Sequence, residues 1–311
     1  MIASPIRVLD LDGSLTRQSP IRERLHDGRA AQLDLAALGP RLRLWSNTDS
    51  WDRLMEALGE ADAAGQMPRL TMVGSGDFHH VTAALLARAP GPLTVVHFDN
   101  HPDWCRCFPS RHCGAWVNMA LEMEHVRRVV TIGPCSDDLD RPDRKRANLG
   151  ALSEGRHQVF AWRRAPTTTR FPVTCGEGHD CRGGLLSWRN VADEDFAAFM
   201  QGVVERIPTA RVWITVDKDV LAPAEALTNW DQGLMPLERL TEALRIVADA
   251  RRIVGADICG EYAPLRHHNP MKIAECLVDQ PSRPSEACLE AGLLRNAETN
   301  RILLDAFEAL L

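Results

Sequence analysis

Two apolar runs in this chain end in carboxylates and an imidazole set at alternate positions. Leu93-Thr94-Val95-Val96-His97-Phe98 leads into Asp99-Asn100-His101-Pro102-Asp103, and Val212-Trp213-Ile214-Thr215-Val216 leads into Asp217-Lys218-Asp219. Short β-branched runs of this kind suit strands buried on both faces. Side chains at i, i+2 and i+4 of an extended segment share a side. Three ligands from the first segment and two from the second can therefore converge. Four carboxylates in one pocket could not all ionise without a cation. A pair of divalent metal ions is the simplest partner, so the leading expectation is a metal-dependent enzyme.

The rest of the chain alternates similar runs with longer helical patterns. Strands are expected at 6–11, 43–46, 70–73, 93–98, 126–132, 158–162, 212–216 and 252–258. Helices are expected at 50–64, 80–89, 115–124, 193–207, 236–250 and 285–311, with Asp193 and Ser285 as N-caps. This alternation predicts an α/β fold, a three-layer α/β/α domain spanning 1–311 with a mainly parallel sheet of about eight strands. The stretch 166–189 is rich in Gly, Thr, Cys and Arg, and is expected to be a long surface loop or an irregular insertion, of the kind that often borders an active site. Asp137 to Lys145 is expected to be a solvated turn, and His267-His268 belongs to a loop.

With 311 residues, 45% of them hydrophobic, the chain can bury a large core. A net charge of −6 argues against nucleic acid or an anionic membrane surface as partner. No apolar stretch approaches the roughly 20 residues of a membrane span. The segment Met1-Ile2-Ala3-Ser4-Pro5 has no signal-peptide pattern. The nine cysteines show no disulfide-framework spacing, which points to free thiols in the cytoplasm. Cys105, Cys107, His112 and Cys113 offer a zinc alternative, although without the usual C-x2-C spacing. Cys175 and Cys181 bracket a loop open to a disulfide or a metal, with a plain loop preferred.

Open parallel sheets bind ligands beyond the C-terminal ends of their strands. Two further segments fall there: Gly74-Ser75-Gly76-Asp77-Phe78-His79-His80 and Gly260-Glu261-Tyr262. Carboxylates with imidazoles suit manganese, iron or zinc. Together these segments resemble the ureohydrolases, the arginase and agmatinase family of dimanganese amidinohydrolases. Asp99-Asn100-His101-Pro102-Asp103 is similar to the family's D-A-H-x-D element. Thr215-Val216-Asp217-Lys218-Asp219-Val220-Leu221-Ala222-Pro223 resembles S-F-D-x-D-x-x-D-P. Gly76-Asp77-Phe78-His79-His80 resembles G-G-D-H-S. Asp257-Ile258-Cys259-Gly260-Glu261 resembles the late segment that supplies a guanidinium-binding glutamate, with one extra residue.

The resemblance implies that His79, Asp99, His101, Asp103, Asp217 and Asp219 hold two Mn2+ ions, with His80 competing with His79. A bridging hydroxide would then attack a guanidinium or amidine carbon, cleaving a C–N bond of a small guanidino or amidino compound. Asp103 would serve in that catalytic centre. Glu261 would bind the substrate's cationic group, and His112 would shuttle protons. The resemblance also favours a homo-oligomer.

Several positions depart from the pattern. Ala222 replaces an aspartate, Asn100 an alanine, and Phe78 an aspartate. Lys218 stands between the two aspartates, where alternation points it away from the metals. Asn229-Trp230-Asp231-Gln232-Gly233 replaces a Gly/Thr/Pro-rich stretch. The groups that would hold the amino-acid end of arginine are not evident, which favours another substrate. Trp104, Trp213 and Trp230 are expected to be packing groups, with Trp104 and Trp230 near a pocket.

Three other readings stay open. Val8-Leu9-Asp10-Leu11-Asp12-Gly13-Ser14 resembles the nucleophile motif of haloacid-dehalogenase-type phosphatases, with Asp10 attacking phosphorus and Asp12 as acid/base. A zinc deacetylase shares the arginase-like architecture but uses a single metal. A metal-binding protein without turnover would keep the ligands alone.

Overall fold

A computed structural model describes residues 6–64, 68–265 and 269–311; His267 and His268 lie outside the described residues. The strands are β1 (Ile6–Asp10), β2 (Ala30–Asp34), β3 (Leu70–Ser75), β4 (Leu93–Phe98), β5 (Val126–Ile132), β6 (His157–Phe160), β7 (Thr167–Thr168), β8 (His179–Arg182), β9 (Leu185–Trp188), β10 (Arg211–Asp217) and β11 (Arg252–Glu261). The helices are α1 (Ser19–His26), α2 (Gly39–Leu42), α3 (Thr48–Ala63), α4 (Val81–Leu86), α5 (Trp116–Glu122), α6 (Leu149–Ser153), α7 (Phe196–Glu205), α8 (Leu237–Ala250), α9 (Pro270–Asp279) and α10 (Glu286–Leu310).

Eight strands form one parallel sheet in the order β2-β1-β3-β11-β10-β4-β5-β6. Its central strands are buried along almost their whole length because both faces are covered. Alternation splits their side chains between two cores. Val96, Phe98, Val212, Ile214 and Val216 pack towards α1, α7, α8 and α10. Leu93, Val95 and Trp213 pack towards α3, α4 and α5. The expected three-layer α/β/α architecture is the one observed.

Differences from expectation have local causes. Residues 43–46 are not a strand: they follow α2, and Leu44 adopts φ 64°. The eighth strand is β2, whose alternating burial marks an edge. The N-cap of α7 is Asp195, not Asp193, and its carboxylate accepts from the Ala198 amide at 3.1 Å. Ser285 does cap α10. The stretch 166–189 is the insertion of the two alternatives. It carries a small antiparallel sheet, β7-β9-β8, whose Leu186 and Trp188 pack with Trp104.

One irregularity decides where a key side chain points. Along β11 the pairing with β3 shifts register between Cys259 and Glu261, with Cys259 opposite Gly74 and Glu261 opposite Ser75. Gly260 is the extra residue, at φ 92°, a conformation that favours glycine. A bulge of one residue reverses the alternation beyond it. Glu261 is thereby carried onto the α10 side of the sheet, where Asn296 and Asn300 meet it.

Candidate metal centre

The central strands β3, β11, β10 and β4 deliver their C-terminal ends side by side, and the predicted ligands gather there. Strand β4 stops at Phe98, so Asp99 to Asp103 form a turn rather than an extended ladder. Asp103 sits at φ 47°, and the Trp116 indole donates to its Oδ2 at 2.6 Å. Asp217 ends β10 and accepts the Asp219 amide on Oδ1 at 3.0 Å, folding the second aspartate back beside the first. His79 follows the tight turn after β3. A Cβ on Gly76 would lie 2.6 Å from Asp217 Oδ2, so only glycine leaves room for that carboxylate.

Two groups of donors result. His79 Nδ1 lies 3.0 Å from Asp99 Oδ2, 3.1 Å from Asp103 Oδ2 and 3.6 Å from Asp217 Oδ2. His101 Nδ1 lies 3.0 Å from Asp219 Oδ2 and 3.5 Å from Asp99 Oδ1. Asp99 thus offers one oxygen to each group. His79, not His80, joins the cluster; His80 is buried against Trp51 with ring centroids 6.2 Å apart.

Electrostatics fit a cation site. Burial, with Asp99 beside it, pushes the Asp103 carboxyl up to about 7. Burial also raises Asp217 and, more strongly, Asp219. Asp99 is held well below its ordinary value by His97, His101 and His79, against the opposing effect of burial. Carboxylates so placed stay ionised only beside positive charge. Oxygen and imidazole donors in this number suit a hard or borderline divalent ion. Cys259 lies in the same cluster, yet burial raises its thiol, which donates to Asp217 Oδ2 at 3.1 Å.

Residues behind the donors hold them in place, and several of these are not evident from sequence. His97 Nε2 is 2.8 Å from Asp99 Oδ2, and its Nδ1 is 2.9 Å from Thr131 Oγ1; burial lowers His97 to about 4, keeping it neutral. Its i, i+2 spacing to Asp99 was the available signal. His79 Nε2 meets Thr215 Oγ1 at 3.0 Å, and that hydroxyl donates to Asp257 Oδ1 at 2.8 Å. Such supports fix the tautomer and orientation of a ligating imidazole.

The donors form the floor of a cavity of about 790 Å³. His112 lines it, as do Trp104 and Trp230. The Gly114 amide donates to His112 Nδ1 at 3.0 Å, and His112 Nε2 lies 2.5 Å from Glu275 Oε1. Glu275, on α9, is a neighbour that no motif announced. Asp137, Asp138 and Lys145 also line the cavity and are more than a solvated turn.

The expectation for Glu261 is corrected. Its carboxylate faces away from the cavity lining and accepts from Lys218 Nζ, from Gln18 Nε2 at 2.9 Å, from Asn296 Nδ2 at 3.1 Å and from Asn300 Nδ2 at 2.6 Å. The bulge at Gly260 is the cause. Lys218 points away from the donors, as alternation predicts. Asp10 ends β1 and Asp12 lies in the bend after it; neither belongs to a donor group. Asp10 accepts from Gly13 and Gln32, and Asp12 from Ser14. All nine cysteines are free. No helix among the described residues is long and apolar enough to cross a membrane.

No family model matches this chain. An uncharacterized protein of Thermotoga maritima is 28% identical over 196 residues, which is 63% of this chain and 59% of that protein's length. Arginase from Bacillus subtilis superposes with a TM-score of 0.59 at 14% identity, covering 98% of this chain and 97% of its own. Arginase from Bacillus caldovelox gives 0.56 at 16% identity, covering 96% and 98%. Proclavaminate amidinohydrolase from Streptomyces clavuligerus gives 0.53 at 17% identity, covering 95% and 91%. At such identities the likeness speaks for architecture, and the chain has the arginase fold.

Proposed function

We propose that this chain is a divergent ureohydrolase, a binuclear manganese hydrolase that cleaves a C–N bond of a small guanidino or amidino compound. The observation that carries this reading is Asp99, which offers one carboxylate oxygen to the His79 group and the other to the His101 group. A single-metal deacetylase has no use for that arrangement.

His79, Asp99, Asp103 and Asp217 would hold one ion, and Asp99, His101 and Asp219 the other. Bound there, the two ions would supply positive charge and a nucleophile drawn from water near neutral pH. The chain's own residues do the rest. Trp104 and Trp230 wall the cavity and limit water. His112 stands at the wall, held by Glu275 on Nε2 and by the Gly114 amide on Nδ1, and would serve proton transfer there. Glu261 is committed elsewhere, so a cationic substrate group would meet other cavity carboxylates. The free thiols fit the cytoplasm, and a homo-oligomer is in keeping with the family.

The test is metal content per chain, on protein from manganese-supplemented cells, beside an Asp217→Ala/Asp219→Ala double variant. Two ions in the wild type, a clear loss in the double variant, and urea or ammonia release from a guanidino-compound panel are expected. One zinc ion would point to a deacetylase-like site. Two ions without turnover on any panel member would leave a binding protein, and no metal would overturn the reading.

A further inference from the structure

Two departures from the family pattern touch each other. Asn100 stands where an alanine is usual, and Asp231 belongs to the Asn229-Trp230-Asp231-Gln232-Gly233 stretch. Asn100 Nδ2 donates to Asp231 Oδ2 at 3.0 Å and to the Asp231 carbonyl at 2.9 Å. Its Oδ1 accepts the Cys135 amide at 3.0 Å, which fixes the amide's orientation. Asp231 Oδ1 in turn lies 2.9 Å from His101 Nε2, while His101 Nδ1 faces Asp219 and Asp99.

A neutral imidazole carries one ring proton. For Nδ1 to present a lone pair, that proton must sit on Nε2. A carboxylate beside Nε2 selects this tautomer and raises the basicity of Nδ1. The other candidate ligand, His79, has a hydroxyl in that place, Thr215, backed by the buried Asp257. The two imidazoles are therefore held by different devices. One is fully interior, and the other ends in an aspartate whose side chain is 55% exposed.

We propose that Asn100 and Asp231 form a positioning pair that fixes His101 and thereby sets the affinity of the ion on the His101 side without affecting the ion on the His79 side. This rests on the binuclear reading above.

The test is a Mn2+ titration of chelator-stripped protein, followed by calorimetry and by the electron paramagnetic resonance signal of free Mn2+. Wild type should take two ions. Asp231→Leu should weaken one of them about 10- to 100-fold and leave the other unchanged. Asp231→Asn keeps an acceptor oxygen and should recover most of that loss. Asn100→Ala should weaken the same ion to a smaller degree, and it decides the matter should Asp231→Leu not fold. Melting of the metal-free forms checks that the fold is intact. Two ions of wild-type affinity in Asp231→Leu, or unchanged affinities in Asn100→Ala, overturn the positioning pair and leave the binuclear site standing. Equal weakening of both ions also overturns it. A wild type that takes no ion overturns both.

Discussion

Lys218 has no exposed surface, and its ammonium reaches Glu261 and Asn300 inside the protein. Alternation alone places it opposite the donor aspartates, so its direction was legible from the sequence. Its partner was not, because Glu261 lies 43 residues away, and the extra residue before that glutamate, visible in the sequence, does not by itself say which way the side chain turns. Removing one member of a buried pair strands the other charge, which costs about 3–5 kcal/mol. Lys218→Met should therefore be strongly destabilising in urea unfolding, and Lys218→Met with Glu261→Gln should recover most of the loss. A Lys218→Met variant as stable as wild type would contradict the pair. The same pair explains why motif matching misplaces Glu261: the letter is present, but its side chain faces the other way.

The central elements were legible because burial on both faces leaves runs such as Leu93–Phe98 largely apolar. Edge and connecting elements were less so. The β2 pattern, half-buried and exposed in turn after one buried alanine, resembles an ordinary loop, and α6 has only five residues in which to show a helical period. Turns carry the chemistry, and there glycine marks the spot. Gly76 sits in the turn between β3 and α4, where a Cβ would meet Asp217 Oδ2 and stand 3.3 Å from Trp230 Cδ1. Gly76→Ala should push the carboxylate aside. Elemental analysis should then show fewer than two metal ions while circular dichroism stays native. Full metal loading would mean that the turn gives way instead.

At the scale of the whole molecule, the arginase fold follows from alternating strands and helices, but the sheet order does not. Late strands β10 and β11 enter between β3 and β4, and only long crossovers decide that placement. This insertion brings donors from distant stretches of sequence to one edge. Residues 229–233 then lace that edge together. Asn229 bonds to Ser75 and to Ala263, Trp230 to Asp77, Asp231 to His101 and Asn100, and the Gly233 amide to the Asp219 carbonyl. Four strand ends share one clasp, rooted at Asn229 on the ends of β3 and β11. In hydrogen exchange, peptides spanning 76–80, 99–103 and 229–233 should acquire deuterium at a common rate. Asn229→Ala should quicken all three together, as a single latch released rather than three hinges swinging independently.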